Sequence, residues 1–279
     1  MTSTLYLVAT PIGNLGDISE RAARTLSEVG FIAAEDTRVT LKLLNHLGIK
    51  KQLVSYHAHN SSDSGERVLA RLLSGESCAL VTDAGMPAIS DPGGELSAAC
   101  AQAGVDVVAI PGPCAAVTAL AISGLPSGRF TFEGFLSTAT RSRTAHLGEL
   151  RYEKRTMIFY EAPHKLLRTL RDMYGAFGDR RVSISREMTK LHEQTLRTTL
   201  SEAVSYFEAT APRGEFVLVV EGAREERRES PDLRSALDAV SAYHREGVKL
   251  RDAARRVSDE TGIPKKTLYD SVARNTFPR

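Results

Sequence analysis

The chain has 279 residues, of which 42% are hydrophobic and 25% are charged, and its formal net charge is +2. This composition is that of an ordinary folded globular protein, and it excludes an intrinsically disordered chain. No apolar run approaches the roughly 18 residues of a membrane-spanning helix, and no signal peptide is recognisable. The three cysteines, Cys78, Cys100 and Cys114, have no metal-ligand spacing, so we expect buried thiols in a cytoplasmic protein.

Residues 1–125 alternate short apolar runs with segments of helical periodicity. The runs that predict strands are 5–10, 31–36, 52–57, 78–83 and 106–112. The segments that predict helices are 18–30, 40–48, 65–76, 95–104 and 114–124. This alternation predicts a first α/β domain with a mostly parallel sheet covered on both faces.

Residues 126–225 are expected to form a second α/β domain. A strand at 130–136 precedes the polar, basic segment 137–155, which we interpret as a domain boundary or the lip of a cleft. Further strands are predicted at 156–163, 180–188, 192–200 and 214–222, with helices at 164–178 and 201–211. Because short turns join neighbouring strands, this sheet should be mixed, and a cleft should lie between the two domains.

Residues 226–279 are expected to form a small helical domain. Segment 250–274 predicts two helices around a Gly-Ile-Pro turn, typical of a helix-turn-helix, although the first helix is about a turn longer than usual. Residues 224–279 carry 13 Lys and Arg against 10 Asp and Glu, whereas the rest of the chain carries 23 against 24. A basic tail on a neutral body favours contact with a polyanion.

Three stiff loops follow predicted strands. In VTDAGMPAISDPGG (81–94), glycines allow close backbone approach and prolines hold the loop in shape. A tight connection capped by an aspartate would explain an isolated Asp-x-Gly, but fourteen residues of this composition favour a ligand loop. We expect Asp83 to lie near the ligand and Asp91 to shape the turn. PIGNLGD (11–17) and IPGPCAA (110–116) occupy equivalent places, although simple turns explain them about as well.

The ends of such strands are where doubly wound sheets bind ligands. The chain has no Walker lysine motif, no Cys/His metal set and no defensible Ser-His-Asp arrangement. This pattern favours a small cofactor bound mainly by backbone, without a metal. Ionisable residues also cluster in FYEAPHK (159–165) and REMTKLHE (186–193), although surface charge is the more frequent reason for any one of them.

Seven motifs occur in order across the first 222 residues: TPIGNLGDIS, AEDTR, VTDAGMPAISDPG, IPGPCAA, YEAPHK, REMTKLHE and GEFVLVVEG. In this order they resemble the tetrapyrrole methylase superfamily of S-adenosylmethionine-dependent methyltransferases, and within it the branch that modifies ribosomal RNA. ATPIGNLGD stands where the porphyrin and corrin enzymes have G-x-G-P-G. The resemblance implies two α/β domains with the cofactor between them and a homodimer. It also implies 2′-O-methylation of a decoding-centre cytidine in 16S ribosomal RNA, either as RNA or in the small subunit.

The resemblance also implies which residues bind S-adenosylmethionine: Pro11, Asp83, Ala84, Gly85, Pro87, Ile89, Ala115, Glu161, Gly214, Glu215 and Phe216. A ribose 2′-hydroxyl is a poor nucleophile while protonated, so a base or a stabilising cation would assist the transfer. We hypothesise that Asp36 or Glu187 assists deprotonation, and that Lys190 or Arg38 steadies the oxygen or a flanking phosphate.

Basic side chains are expected to contact RNA phosphates. The candidates are Arg38, Arg141, Arg143, Lys265 and Lys266, and Arg151, Lys154 and Arg155 follow Arg141 and Arg143 in the same basic segment. A solvated surface explains each of them singly.

Two other functions stay open. A corrin or porphyrin methyltransferase would share the fold, but the basic tail and PIGNLGD favour RNA over a planar macrocycle. A helix-turn-helix regulator that senses a metabolite would fit the tail, but it has no need of the two ionisable clusters.

Overall fold

Alternating helices and parallel strands form in the first 122 residues, and the prediction of a parallel sheet is confirmed. The computed structural model describes residues 3–57, 61–224 and 232–276. The strands are β1 (Thr4–Val8), β2 (Phe31–Ala34), β3 (Leu53–Ser55), β4 (Cys78–Val81) and β5 (Asp106–Ile110). The helices are α1 (Glu20–Glu28), α2 (Thr37–His46), α3 (Ser61–Leu73), α4 (Gly94–Gln102) and α5 (Ala115–Ile122). The strand order is β3-β2-β4-β1-β5, and every pairing is parallel.

The two faces of this sheet are covered by different helices. Helices α1 and α2 pack against one face with Val8 and Ile32, whereas α3 and α4 pack against the other with Leu5 and Phe31. Alternate residues of a strand point to opposite faces, which is why the inner strands β2 and β4 are apolar and buried along their whole length. The neighbouring strands β1 and β4 therefore send their following helices to opposite faces, and a crevice opens at their carboxyl ends.

The second sheet is mixed, as predicted. Its elements are β6 (Phe130–Phe135), α6 (Thr140–Glu149), β7 (Thr156–Glu161), α7 (Pro163–Phe177), β8 (Arg181–Arg186), β9 (Gln194–Thr199), α8 (Leu200–Ala209) and β10 (Phe216–Val220). The strand order is β6-β7-β10-β8-β9, with β6 parallel to β7 and the other pairs antiparallel. Strand β10 is buried along its whole length.

Helix α6 corrects two expectations about segment 137–155. The segment contains a helix rather than only a polar lip, and this helix buries Leu147 and the side chain of Arg143. Arg143 is 2% exposed. Its guanidinium donates to Asp172 on α7 at 2.6 Å and to the carbonyls of Ser137 and Thr138. The structure therefore does not support Arg143 as an RNA contact, because its side chain is buried and its Nε and Nη1 hold α6 in place.

Helix α5 joins the two sheets. Its buried residues Ala116 and Leu120 share one apolar cluster with Ile158 of β7 and Val217 of β10. The backbone N–H of Ala116 also donates to the hydroxyl of Tyr160 at 3.1 Å. Both sheets consequently belong to one compact unit, Met1–Ala223, and the expected domain boundary between residues 125 and 126 stays a prediction.

The second compact unit, Arg224–Arg279, contains helices α9 (Leu233–Arg245), α10 (Leu250–Thr261) and α11 (Lys265–Thr276). The predicted C-terminal helices are confirmed, whereas α9 was not identified from the sequence. Val240, Val257 and Leu268, one from each helix, meet in one core. Gly262 ends α10 in the left-handed region with φ of 74°, the conformation that favours glycine at this turn.

None of the helices in the three described ranges is both long and apolar enough to span a membrane. The cytoplasmic location stays a prediction.

Candidate active site

A cavity of about 510 Å³ opens in the first unit, between the carboxyl end of the parallel sheet and the second sheet. This volume is within the range of small-molecule and cofactor sites. Its wall comes from the loops that follow β1, β4 and β8, the start of α5, and the facing ends of β6, β7 and β10. The predicted cleft between two α/β layers is therefore present.

The wall contains seven of the residues expected to bind a cofactor: Ala84, Gly85, Ile89, Ala115, Glu161, Glu215 and Phe216. Four others, Pro11, Asp83, Pro87 and Gly214, lie outside it. Pro87 is buried. Gly214 lies behind Glu187, because a Cβ at this position would come within 2.5 Å of the Glu187 side chain. Cofactor contact by these four residues stays a prediction.

The loops after β1 and β4 are fastened to each other. Thr10 N donates to the carbonyl of Gly85 at 2.9 Å, and Gly85 N donates back to Thr10 at 3.0 Å. Gly85 has φ of 82°, which favours glycine at this crossing. The exchange presents Ile12, not Pro11, to the cavity.

The two aspartates of the loop after β4 exchange their expected roles: Asp83 was expected near the ligand and Asp91 in the turn. Asp91 lies in the cavity wall, whereas Asp83 lies outside it. Asp83 Oδ1 accepts from the backbone N–H of Asp36 at 3.1 Å, so this carboxylate connects β4 to the end of β2. Burial, and then the negative charges of Glu35 and Asp83, raise the pKa of Asp91 to about 6.

Asp91 should make the stability of the first unit depend on pH. Folding raises the pKa of Asp91 from 3.8 to about 6. Above pH 6 the carboxyl is ionised in both states but ionises less readily in the folded one, so it lowers the free energy of unfolding. Below about pH 4 the carboxyl is protonated in both states, and this loss of stability disappears. Asp91→Asn should therefore raise the free energy of unfolding at pH 8 by about 1–2 kcal/mol, after allowance for partial exposure. Urea unfolding at pH 8 and pH 4 measures the difference, which should vanish at pH 4. Asp106→Asn, at an exposed position of β5, is the control. An equal gain at both pH values would contradict this origin.

A charged network occupies the opposite wall. Lys190 Nζ donates to Glu187 Oε1 at 3.0 Å and to Glu215 Oε2 at 3.1 Å. Burial acts to lower the pKa of Lys190, but the two carboxylates raise it, so the ammonium stays charged. Burial likewise acts to raise the pKa of Glu187, yet hydrogen bonds from Lys190 and the Glu215 amide lower it. The arrangement suits a fixed cation better than a carboxylate base.

The loop that carries Asp91 and the loop that carries Lys190 both contain residues other than glycine in the left-handed region. Ala88 and Ser90 have φ of 69° and 64°, and Glu187 and Thr189 have φ of 50° and 67°. Such conformations are disfavoured for L-residues and tend to occur at functional sites. Here they turn Asp91 and Lys190 towards the same cavity.

Asp36 is a helix cap rather than part of the wall. It caps α2 by accepting from the N–H of Arg38 at 2.8 Å, and its carboxylate also pairs with the Arg38 guanidinium at 2.6 Å. The side-chain bonds from Arg38 hold the pKa of Asp36 well below its usual range. The structure therefore does not support Asp36 as a general base, because its carboxylate is bonded to Arg38, has a lowered pKa and lies outside the cavity wall.

The remaining candidate RNA contacts lie on helices of the two units. Arg38 is exposed at the start of α2, and Arg141 is exposed on α6. Lys265 and Lys266 begin α11 in the second unit, where Lys266 is exposed and Lys265 is half-buried. Contact of these four side chains with RNA stays a prediction.

Phe135, Tyr160 and Cys114 line the wall but were not identified as site residues from the sequence. Phe135 is 54% exposed at the end of β6, and its ring centroid lies 5.5 Å from that of Tyr160. Burial raises the pKa of Tyr160 to about 12, so its hydroxyl keeps its proton. Cys114, expected to be buried, is half-buried in the same wall. The only signal was position, since each of these residues lies within or shortly after the last residues of a predicted strand.

Glu161 lies in the cavity wall, but its carboxylate is bonded within the protein and is not available to a ligand. Its side chain is 3% exposed. It accepts from the Thr169 hydroxyl at 2.5 Å and from Ala162 N at 2.8 Å. The carboxylate therefore fixes the start of α7 against the end of β7.

Similar proteins fall into one sequence family. The family model described as Tetrapyrrole (Corrin/Porphyrin) Methylases matches residues 4–204. The chain is 49% identical over 266 residues to a Synechocystis protein named ribosomal RNA small subunit methyltransferase I, with 95% of each chain covered. It is 48% identical over 270 residues to a protein of the same name from Halalkalibacterium halodurans, with 96% of this chain and 93% of the relative covered.

Solved structures with a similar fold have more distant sequences. A cobalt precorrin-4 methyltransferase of cobalamin biosynthesis superposes with a TM-score of 0.60 at 17% identity, covering 79% of this chain and 95% of its own. A diphthine synthase gives a TM-score of 0.58 at 13% identity, covering 78% and 89%. At such low identity the likeness shows the fold alone, and it confirms the expected tetrapyrrole methylase-like architecture.

Proposed function

We propose a function from one premise: this chain belongs to the tetrapyrrole methylase family and, within it, to the ribosomal RNA small subunit methyltransferase I proteins. The chain is therefore a methyltransferase, and its family implies S-adenosylmethionine as the methyl donor. We propose that it methylates the ribose 2′-oxygen of a decoding-centre cytidine in 16S ribosomal RNA. The observation that carries the proposal is an apolar cavity with a fixed ammonium, Lys190, in its wall.

The size and the largely apolar lining of the cavity support S-adenosylmethionine as its ligand. Ala84, Gly85, Ile89, Ala115 and Phe216 would hold it, since they offer backbone groups and apolar surface suited to an adenosine and an aliphatic chain. When bound, S-adenosylmethionine supplies a methyl group that is activated by the positive charge on its sulfur.

Residues of the cavity wall would stabilise negative charge on the acceptor 2′-oxygen and accept its proton. Lys190, held by Glu187 and Glu215, would stabilise negative charge on the 2′-oxygen or a neighbouring phosphate. Asp91 is the better matched base, because a pKa of about 6 lets a carboxylate accept a proton near neutral pH. Glu187 then acts by orienting Lys190. The aromatic pair Phe135 and Tyr160 would limit access of water to the same space.

RNA is favoured over a corrin or porphyrin as the acceptor. The relatives named for ribosomal RNA are 42–49% identical over nearly the whole chain, whereas the corrin enzyme shares 17% identity. The basic second unit also suits a polyanion. We further propose that the substrate is 16S RNA or the small subunit, and that the protein acts as a homodimer.

One experiment tests the function. The protein is incubated with tritiated S-adenosylmethionine and small ribosomal subunits, naked 16S RNA or a corrin precursor, and the label is mapped. We expect label on the ribose of a single cytidine, with single-turnover rates that rise through pH 6 and lose this inflection in Asp91→Asn. Label on a base or on the macrocycle would contradict the proposal. Sedimentation of the same sample measures whether the protein is a dimer.

A further inference from the structure

A second surface of the first unit is both basic and aromatic. It is formed by the residues at and just before the starts of β6 and β7, which we call the Tyr152 surface: Arg129, Phe130, Arg151, Tyr152, Lys154 and Arg155. Tyr152 is 76% exposed and Phe130 is 40% exposed. An open groove of about 810 Å³ lies beside Tyr152 and is lined by Arg129, Lys154 and Arg155.

The charge of this surface is strongly positive. Within residues 126–130 and 150–156, four basic side chains and one acidic side chain give a net charge of +3. The acidic residue, Glu153, pairs with Arg155 at 2.7 Å. The Arg151 guanidinium lies 5.6 Å from the centroid of the Tyr152 ring. Positive charge therefore surrounds an exposed ring.

The Tyr152 surface is separate from the cavity. Strands β6 and β7 run parallel for six residues each, and their far ends, Phe135 and Glu161, line the cavity. At about 3.3 Å per residue, the two places are roughly 17 Å apart along these strands. A ligand that reaches both must be extended.

We propose that the Tyr152 surface binds single-stranded ribosomal RNA that flanks the modified nucleotide, with a base stacked on Tyr152 and a phosphate held by Arg129. The proposal rests on the function proposed above. Exposed aromatic rings among basic side chains are the usual means of holding unpaired nucleic acid, because every base has a face to stack and every phosphate is charged.

A second copy of this chain is a less suitable partner. A two-fold axis through the Tyr152 surface would bring its positive charges close to one another, which opposes association. The chain also leaves the first unit here, because Ala223 N donates to the carbonyl of Glu153 at 2.5 Å. Gly222 packs so closely on Lys154 that a Cβ would collide with its carbonyl. The last residues of the first unit therefore pack against the Tyr152 surface.

The test is the double variant Arg129→Gln/Tyr152→Ala in the full chain. Its matched control is Arg171→Gln/Tyr174→Ala, which removes the same two kinds of side chain from helix α7, where Tyr174 is 45% exposed. We expect affinity for a 16S RNA fragment to fall about 10- to 100-fold in the test variant. The dependence of log affinity on log salt should weaken by about one unit. S-adenosylmethionine affinity and kcat at saturating RNA should stay within about twofold, and the control should match wild type.

Unchanged RNA affinity in the folded test variant would overturn the proposal. So would an altered oligomeric state in sedimentation without a loss of RNA affinity, since the partner would then be a second copy. The wild-type arm separates this failure from that of the proposed function: if the wild-type protein neither binds nor methylates 16S RNA, both proposals fall.

Discussion

Replacing Lys190 with methionine should lower kcat by about 10²- to 10³-fold, the effect of removing one preorganised donor to a developing negative charge. Methionine keeps most of the length and apolar volume of the lysine side chain, so the cavity wall should keep its shape. The ammonium lost is the one that Glu187 and Glu215 fix between them. Single-turnover methylation with saturating RNA and S-adenosylmethionine measures the change without interference from product release.

Two further variants separate charge from packing. Lys42→Met removes an exposed lysine from α2 and should leave kcat unchanged. Lys190→Arg keeps the positive charge and should retain more activity than Lys190→Met. If Lys190→Met is as active as wild type while S-adenosylmethionine and RNA still bind, the electrostatic role of Lys190 is wrong.

The layered fold could be predicted because each strand is short, apolar and followed by a helix. Helix α6 was not predicted, because its buried face consists of Leu147 and Arg143, and an arginine does not register as apolar. Its contact with Asp172 joins residues 29 apart in sequence. Periodicity within one segment carries no information about such a partner.

The site was predictable where its residues follow strands and unpredictable where the backbone bends unusually. The left-handed residues Ala88 and Ser90 return the loop so that Asp91, not Asp83, enters the wall. A non-glycine residue in this conformation leaves no mark in composition. Lys190 was identified by its charge, but its partner Glu215 lies 25 residues away and meets it only because of the fold.

Gly214→Ala should be the most damaging of the small substitutions at this site. Gly214 has φ of 84°, which disfavours alanine, and a Cβ would lie 2.5 Å from Glu187 Cγ and Oε1. Glu187 cannot simply move, since Lys190 and the Glu215 amide both donate to Oε1. We expect the free energy of unfolding to fall by about 2–4 kcal/mol from strain and overpacking combined, and methylation to fall with it because Lys190 loses its support.

Alanine substitutions at two other glycines separate the contribution of backbone strain from that of overpacking. Gly48 has φ of 69° and no atom within 4 Å of an added Cβ, so Gly48→Ala measures backbone strain alone and should cost about 1–2 kcal/mol. Gly175 lies within α7, also with nothing nearby, so Gly175→Ala should stabilise by about 0.5–1 kcal/mol. Denaturant unfolding ranks the three. One result would contradict this argument: Gly214→Ala stays active and loses no more stability than Gly48→Ala. Glu187 would then not be packed against Gly214, and this packing would not hold Lys190 in place.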